Sequence, residues 1–460
     1  MNETVNTDVQ LSVWKKIGYG FGEAGSQLSW TLVSSYLTVF YTDVVGLAPL
    51  AISAIMLIAR IWDAINDPMF GSIAENTRSK WGRFRPYILF GMPFLALFNC
   101  LTFLNLDISP AAKAIWCGVT YICCGMAYTV VNISVGCLAN SLTSRNTERV
   151  SLNAFRGFIG SGMGILMNMI TMPLLLFFGK GSTSSAHGYF MVAMIFSLIS
   201  IPCFLICFFS TKEVVGGGAK KKENAVKALW ESFKMTFADH NARFLILAMF
   251  CFLTGIFGRL GIMAYYFIYV MGNPMAIASF GTALALGMTL VNLYAPALLN
   301  RVDKKVCGVI TSILQIICCA LLFFMAEAHM SPMAIAVVGF FYGFTNFGGI
   351  VSYGLGAEII DDNWIKTGHR ADGVIYSCIS FATKMGNAIG GSVGIIVLAA
   401  VGFVANAELP AAVLTKMNAV INFGPCIFFA LAAIFFTMVK MTNAQGKENE
   451  ALIAQMNSEK

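Results

Sequence analysis

Charge is scarce in this 460-residue chain: 30 Lys and Arg with 23 Asp and Glu make 12% of the residues, about half the roughly 25% of an ordinary soluble domain. The shortage excludes a soluble fold. Hydrophobic residues are 57% of the chain, 38 Phe and 25 Met among them, and lipid must solvate the apolar surface that no single core could hide. Histidine is scarcer still: the four, His187, His240, His329 and His369, are scattered. No CxxC among the 13 cysteines has a second pair, which argues against structural zinc. The adjacent Cys123, Cys124 and Cys318, Cys319 fall in apolar stretches and read as reduced packing residues. The chain has no GxxxxGK[ST] loop, so direct ATP coupling is not expected, and no nucleophile motif supports an enzyme. The first sixteen residues are polar and carry no apolar signal-peptide core, so no cleaved leader is expected. The net charge of +7 does not imply nucleic acid, because basic residues that anchor membrane topology give the same excess.

What the chain does have is a series of apolar stretches long enough to cross a bilayer at about 20 residues each. Twelve helices are expected, near 17–41, 48–74, 86–106, 111–141, 151–179, 188–211, 242–271, 275–299, 306–326, 332–359, 373–403 and 412–439. The Gly/Lys-rich segment 212–240 splits them six and six, which reads as a duplicated bundle with a linker. The expected organisation is an N-terminal bundle over 1–211, a cytoplasmic linker over 212–240, a C-terminal bundle over 241–440 and a cytoplasmic tail over 441–460. Putting both termini and the alternate loops on one side gathers 23 of the 30 basic residues there and leaves Lys113, Lys180 and Lys416 opposite. By the positive-inside rule both termini are cytoplasmic.

The remaining four bases, Arg60, Arg156, Arg259 and Lys384, fall within spans, as do Glu23, Asp63 and Asp67. A charge at membrane depth costs about 2.5–3.5 kcal/mol on insertion scales, so each needs a partner or water. A purely structural ion-pair network is the plain alternative, although apolar packing meets a structural need at lower cost. Arg60, Asp63 and Asp67 share one helical stripe, with Asn66 close by. Two carboxylates with an amide and a hydroxyl form an oxygen set suited to a hard cation such as sodium; one carboxylate holding a proton is the alternative. Gly125, Thr129, Asn132 and Gly136 make a second stripe, which could also be close helix packing. Glu23 and Gln27 share a face, as do Ser377, Ser380, Lys384 and Asn387, and Arg156 has Gly160 on its own stripe. Polar faces from both halves imply a shared water-accessible cavity near the midplane, with Arg60 and Arg259 as possible cavity charges. Tyr19, Tyr128 and Trp30 are aromatic candidates beside it.

The segments KIGYGFGEAGSQ (16–27), FYTDVVGL (40–47), RIWDAINDPMFG (60–71), TRSKWGRFRPYIL (77–89), TYICCGMAYTVVNI (120–133) and AEIIDDNWIKTGHRADG (357–373) resemble, in order, the glycoside-pentoside-hexuronide:cation symporter family (melibiose permease-like) of the major facilitator superfamily. The resemblance implies an all-α polytopic inner-membrane protein of two six-helix bundles. Its expected activity is alternating-access symport of a sugar or glycoside with Na+ or H+, by a monomer with no further cofactor. It assigns Asp63, Asn66, Asp67 and Thr129 to the cation, and Arg156 and Lys384 to the substrate side. Glu23, Gln27, Tyr128 and Asn132 are added as substrate candidates. Gln27 and Asn132 stand where the family's sugar-binding acids are expected, and Gly136 and Gly349 replace two aromatics. Loss of two acids beside retained bases shifts the pocket towards positive, which favours an acidic cargo, a hexuronide or sulfonated sugar. A neutral glycoside or pentoside is the alternative, and a lysolipid carrier of the same fold a further one. Arg83, Arg149 and Asp361 are candidates for a cytoplasmic gate, against simple positive-inside anchoring.

Overall fold

The computed structural model describes residues 11–143, 146–214, 238–367 and 372–458. Most of the expected linker therefore lies outside the described residues, and so do the side chains of Ser377, Ser380 and Asn387. Two compact units result, Met1–Lys221 with Ala405–Ala407, and Lys222–Val404 with Glu408–Lys460.

In the first unit α1 (Val13–Val39) runs into a π turn (Phe40–Val44) and is followed by α2 (Pro49–Asn76), α3 (Arg85–Thr102), α4 (Pro110–Leu142), α5 (Asn146–Phe178) and α6 (Ala186–Ser210). Proline in the first turn of α2, α3 and α4 begins each helix where no intrahelical donor is needed. The Ser185 hydroxyl accepts from the Gly188 N–H to cap α6. Helix α1 packs on α5 and α6, and α4 on α2 and α3. These neighbours bring the polar faces of α1, α2, α4 and α5 into one unit.

The second unit holds α7 (His240–Tyr265, with a π turn Tyr266–Val270), α8 (Ala276–Arg301), α9 (Lys304–Glu327), α10 (Pro332–Phe344), α11 (Gly348–Thr367), α12 (Asp372–Ala400), α13 (Ala411–Met438) and α14 (Asn443–Ser458). Residues 332–359 were expected as one helix, but the chain breaks over 345–347. The break is tolerated because side chains take the freed carbonyls: Gln315 Nε2 donates to Tyr342 O at 2.9 Å, Thr311 Oγ1 to Thr345 O at 2.5 Å, and Tyr294 Oη to Phe344 O. The expected C-terminal tail is largely helix α14, which packs on α11. Asn443 at its start donates to Leu299 O at the end of α8 and to Val302 O just after it, at 2.8 and 2.9 Å.

Among the described residues ten spans are long and apolar enough to cross a membrane, α10 and α11 counting as one. The other two of the twelve expected are helical but more polar. Helix α1 carries Lys15, Lys16, Glu23 and Gln27, and α3 has only 18 residues and starts at Arg85.

Candidate functional site

The stripe on α2 forms as its spacing predicts. Arg60 Nη1 lies 3.6 Å from Asp63 Oδ2 across one turn, and both side chains are about one-fifth exposed, at 22% and 23%. Asn66 is buried, and its Nδ2 has no hydrogen-bond partner. Both carboxylates reach α4 at positions four residues apart. Thr129 Oγ1 donates to Asp67 Oδ1 at 2.9 Å, and a Cβ on Gly125 would come within 3.1 Å of Asp63 Oδ1. The absent side chain at 125 lets one acid approach, and the hydroxyl at 129 holds the other. The groups offered here, two carboxylates, an amide and a hydroxyl, are oxygen donors that suit a hard cation or a proton better than a soft metal.

The same α4 stripe continues to the remaining candidates. Tyr128 stacks on Trp30 with ring centroids 4.3 Å apart, Asn132 Nδ2 donates to Tyr128 Oη at 3.2 Å, and the Arg60 guanidinium stands 6.0 Å from the Trp30 ring. Arg156 on α5 donates from Nε to Glu23 Oε2 at 2.6 Å, and Gln27 Nε2 reaches the other Glu23 oxygen at 3.4 Å. Tyr19 lies beneath this group, its hydroxyl interacting with Arg156. It is fully buried and donates to Val135 O at 3.1 Å.

Arg259 has different surroundings. A cavity charge would be wet, yet Arg259 is 1% exposed inside the second unit. Its Nη2 donates to Asn422 Oδ1 at 3.1 Å, and its guanidinium stacks 4.7 Å from Tyr342 and 5.8 Å from Phe280. Asn422 Nδ2 donates to Asn418 Oδ1, and Asn418 Nδ2 to Glu327 Oε1, each at 2.8 Å. Sequence reasoning missed this chain of amides, although Asn418 and Asn422 are four apart on one apolar helix. Lys384 lies partly buried on α12. Of the gate candidates, Arg83 donates to Ser141 Oγ at 3.3 Å and Arg149 to Thr143 O at 2.9 Å, both within the first unit; Asp361 lies on α11 of the second. Glu148 takes Lys16 as its partner at 3.0 Å.

Two lines of kinship meet this geometry. The helical architecture is that of solved transporters, which at these identities show the fold alone. A bacterial homolog of the human lysosomal transporter Spinster matches with TM-score 0.68 and 13% identity over 96% of this chain and 99% of its own. The D-xylose-proton symporter matches with TM-score 0.60 and 14% identity over 92% and 95%. Residues 18–443 match the family model for MFS/sugar transport proteins. The chain is similar to the isoprimeverose transporter of Lactiplantibacillus pentosus, at 33% identity over 94% of this chain and 90% of that one. It is also similar to the glucuronide carrier protein homolog of Escherichia coli K12, at 28% identity over 95% of each. This protein belongs to that family, the glycoside-pentoside-hexuronide:cation symporter branch of the major facilitator superfamily; it is a multi-pass membrane transporter and not an enzyme.

Proposed function

We propose that this protein is a symporter that carries a neutral glycoside into the cell with Na+ or H+, by alternating access, in the inner membrane with both termini cytoplasmic. The observation that carries the choice of a neutral cargo is the 2.6 Å pair between Arg156 and Glu23. A free Arg156 beside amides at 27 and 132 would favour an acidic sugar. Paired with Glu23 it offers no net charge, and Arg60 is likewise matched by Asp63 at 3.6 Å. What remains on the first-unit surface for a sugar is the Trp30–Tyr128 stack with the amides of Gln27 and Asn132. An aromatic face with hydrogen-bonding amides suits a sugar ring and its hydroxyls. Relatives named for isoprimeverose and for glucuronide both match, so kinship leaves the charge of the sugar open, and the ion pairs support the neutral reading.

The cation acts through Asp63 and Asp67. Their mutual repulsion falls when it binds, which fixes α2 against α4 through Thr129 and orders the adjacent Tyr128 and Asn132 for the sugar. At about 100 mV each inward charge supplies about 2.3 kcal/mol, roughly fifty-fold accumulation. The test is uptake of labelled methyl β-glucoside and methyl β-xyloside into right-side-out vesicles under imposed Na+ or proton gradients. Cation-stimulated accumulation of a neutral glycoside is the expected result. Accumulation of methyl β-glucuronide alone would overturn the neutral reading.

A further inference from the structure

We propose that Glu23 is a specificity-determining residue, a built-in carboxylate that occupies Arg156 and thereby excludes acidic sugars from this carrier; the inference rests on the neutral-glycoside reading. Glu23 presents the group a uronate would present, already docked on the Arg156 guanidinium. The pair is neither fully dry nor free in water, with Arg156 23% and Glu23 16% exposed. Part of the pair stays accessible, while partial desolvation keeps the charge-assisted bond strong.

The backbone is shaped for this occupancy. Arg156 and Gly160 lie one turn apart on α5, and a Cβ on Gly160 would fall 2.5 Å from Glu23 Cγ. Only glycine leaves the groove along which the Glu23 stem lies. On the other side a Cβ on Gly136 would come within 3.3 Å of Arg156 Nη1, so α4 also gives way to the guanidinium. Gln27, one turn beyond Glu23, approaches the second carboxylate oxygen at 3.4 Å. A merely tolerated surface pair would not need space cleared on two neighbouring helices. For an acidic sugar to use Arg156, it must expel Glu23 into this groove or share one guanidinium between two carboxylates. Either costs affinity that a neutral sugar does not lose.

The experiment measures inhibition of labelled methyl β-glucoside uptake by unlabelled methyl β-glucuronide and by unlabelled methyl β-glucoside, and reports the ratio of the two inhibition constants. This ratio is independent of expression level. In the unchanged protein the glucuronide is expected to be the weaker inhibitor by about tenfold or more. Glu23→Gln keeps the length and removes the charge, and should improve the glucuronide relative to the glucoside by about ten- to a hundred-fold. Gly160→Ala, which displaces Glu23 without altering its charge, should move the ratio in the same direction, and Glu23→Asp should restore selectivity against the acid. If the unchanged carrier prefers the glucoside and the ratio stays fixed in both Glu23→Gln and Gly160→Ala, the pair is structural and this inference falls alone. If the unchanged carrier prefers the glucuronide, the neutral reading falls with it.

Discussion

Arg156 in the first unit and Arg259 in the second are both guanidiniums at membrane depth, and their surroundings could hardly differ more. Arg156 faces a carboxylate at 2.6 Å and keeps 23% of its side chain exposed. Arg259 is 1% exposed and, among the described residues, lies against Asn422, Cys319 and the Tyr342 and Phe280 rings. Its nearest acid along hydrogen bonds is Glu327, two amides away. An exposed pair can exchange one partner for a solute. A buried cation wrapped in amides and aromatic faces is held by neighbours that have nowhere to go. Charges at membrane depth are therefore not of one kind; exposure and a charged partner separate the two.

The largest effect that would sharpen this contrast comes from the first unit. Asp63→Asn or Asp67→Asn should abolish cation-driven accumulation, reducing the roughly fifty-fold gradient at about 100 mV to equilibration, while the protein still inserts. Retained accumulation in both variants would place coupling elsewhere. In the second unit Asn422→Leu should act on stability instead. It strips Arg259 Nη2 and Asn418 of their partner, and unsatisfied groups of this kind cost about 2–3 kcal/mol. A lower melting temperature in detergent, with the cation dependence of transport intact, is the expected result; altered cation dependence would break the division between the units. Thr129→Val removes the 2.9 Å hydrogen bond to Asp67 and should raise the cation concentration for half-maximal uptake by about tenfold.

The helices were legible because a span needs about 20 apolar residues, and ten of the spans meet that by length and composition among the described residues. The stripe of Arg60, Asp63 and Asp67 was legible for a similar reason: three and four residues is one face of a helix. The stripe on α4 could be read from its spacing, but not its engagement with α2, where Thr129 meets Asp67 across 62 positions. Glu23 and Arg156 are 133 positions apart, and nothing in either pattern says that α1 packs on α5. The burial of Arg259 was hidden for the same reason, since Asn422 lies 163 positions away. The break at 345–347 left no trace because the apolar run continues through it and the side chains that cover it belong to α8 and α9. Local periodicity thus announced the groups, and tertiary packing decided which stay partly exposed in ion pairs and which are buried among amides and rings.

The smallest expected effect tests whether the two units differ at their basic ends as they do at depth. Each is tied there by a Lys–Glu pair. In the first, Lys16 meets Glu148 at 3.0 Å and donates to Ser151 Oγ at 3.0 Å, with the paired side chains 9% and 10% exposed. In the second, Lys304 pairs with Glu358 at 17% and 16% exposure and also donates to Asn443 Oδ1 at 3.3 Å. Water screens the second pair more, so its loss should matter less. Removing Lys16 takes a cation away from a carboxylate that is only 10% exposed and keeps the Leu11 N–H at 3.2 Å, a site where water compensates the loss poorly. Lys16→Met should therefore destabilise by about 1–2 kcal/mol and Lys304→Met by less than about 1 kcal/mol, read as melting temperatures in one detergent at low ionic strength. Raising the salt concentration should shrink the Lys304 effect further and leave most of the Lys16 effect. Equal losses with equal salt sensitivity would mean that these ends are solvated alike, and that the contrast between the units is confined to the membrane interior.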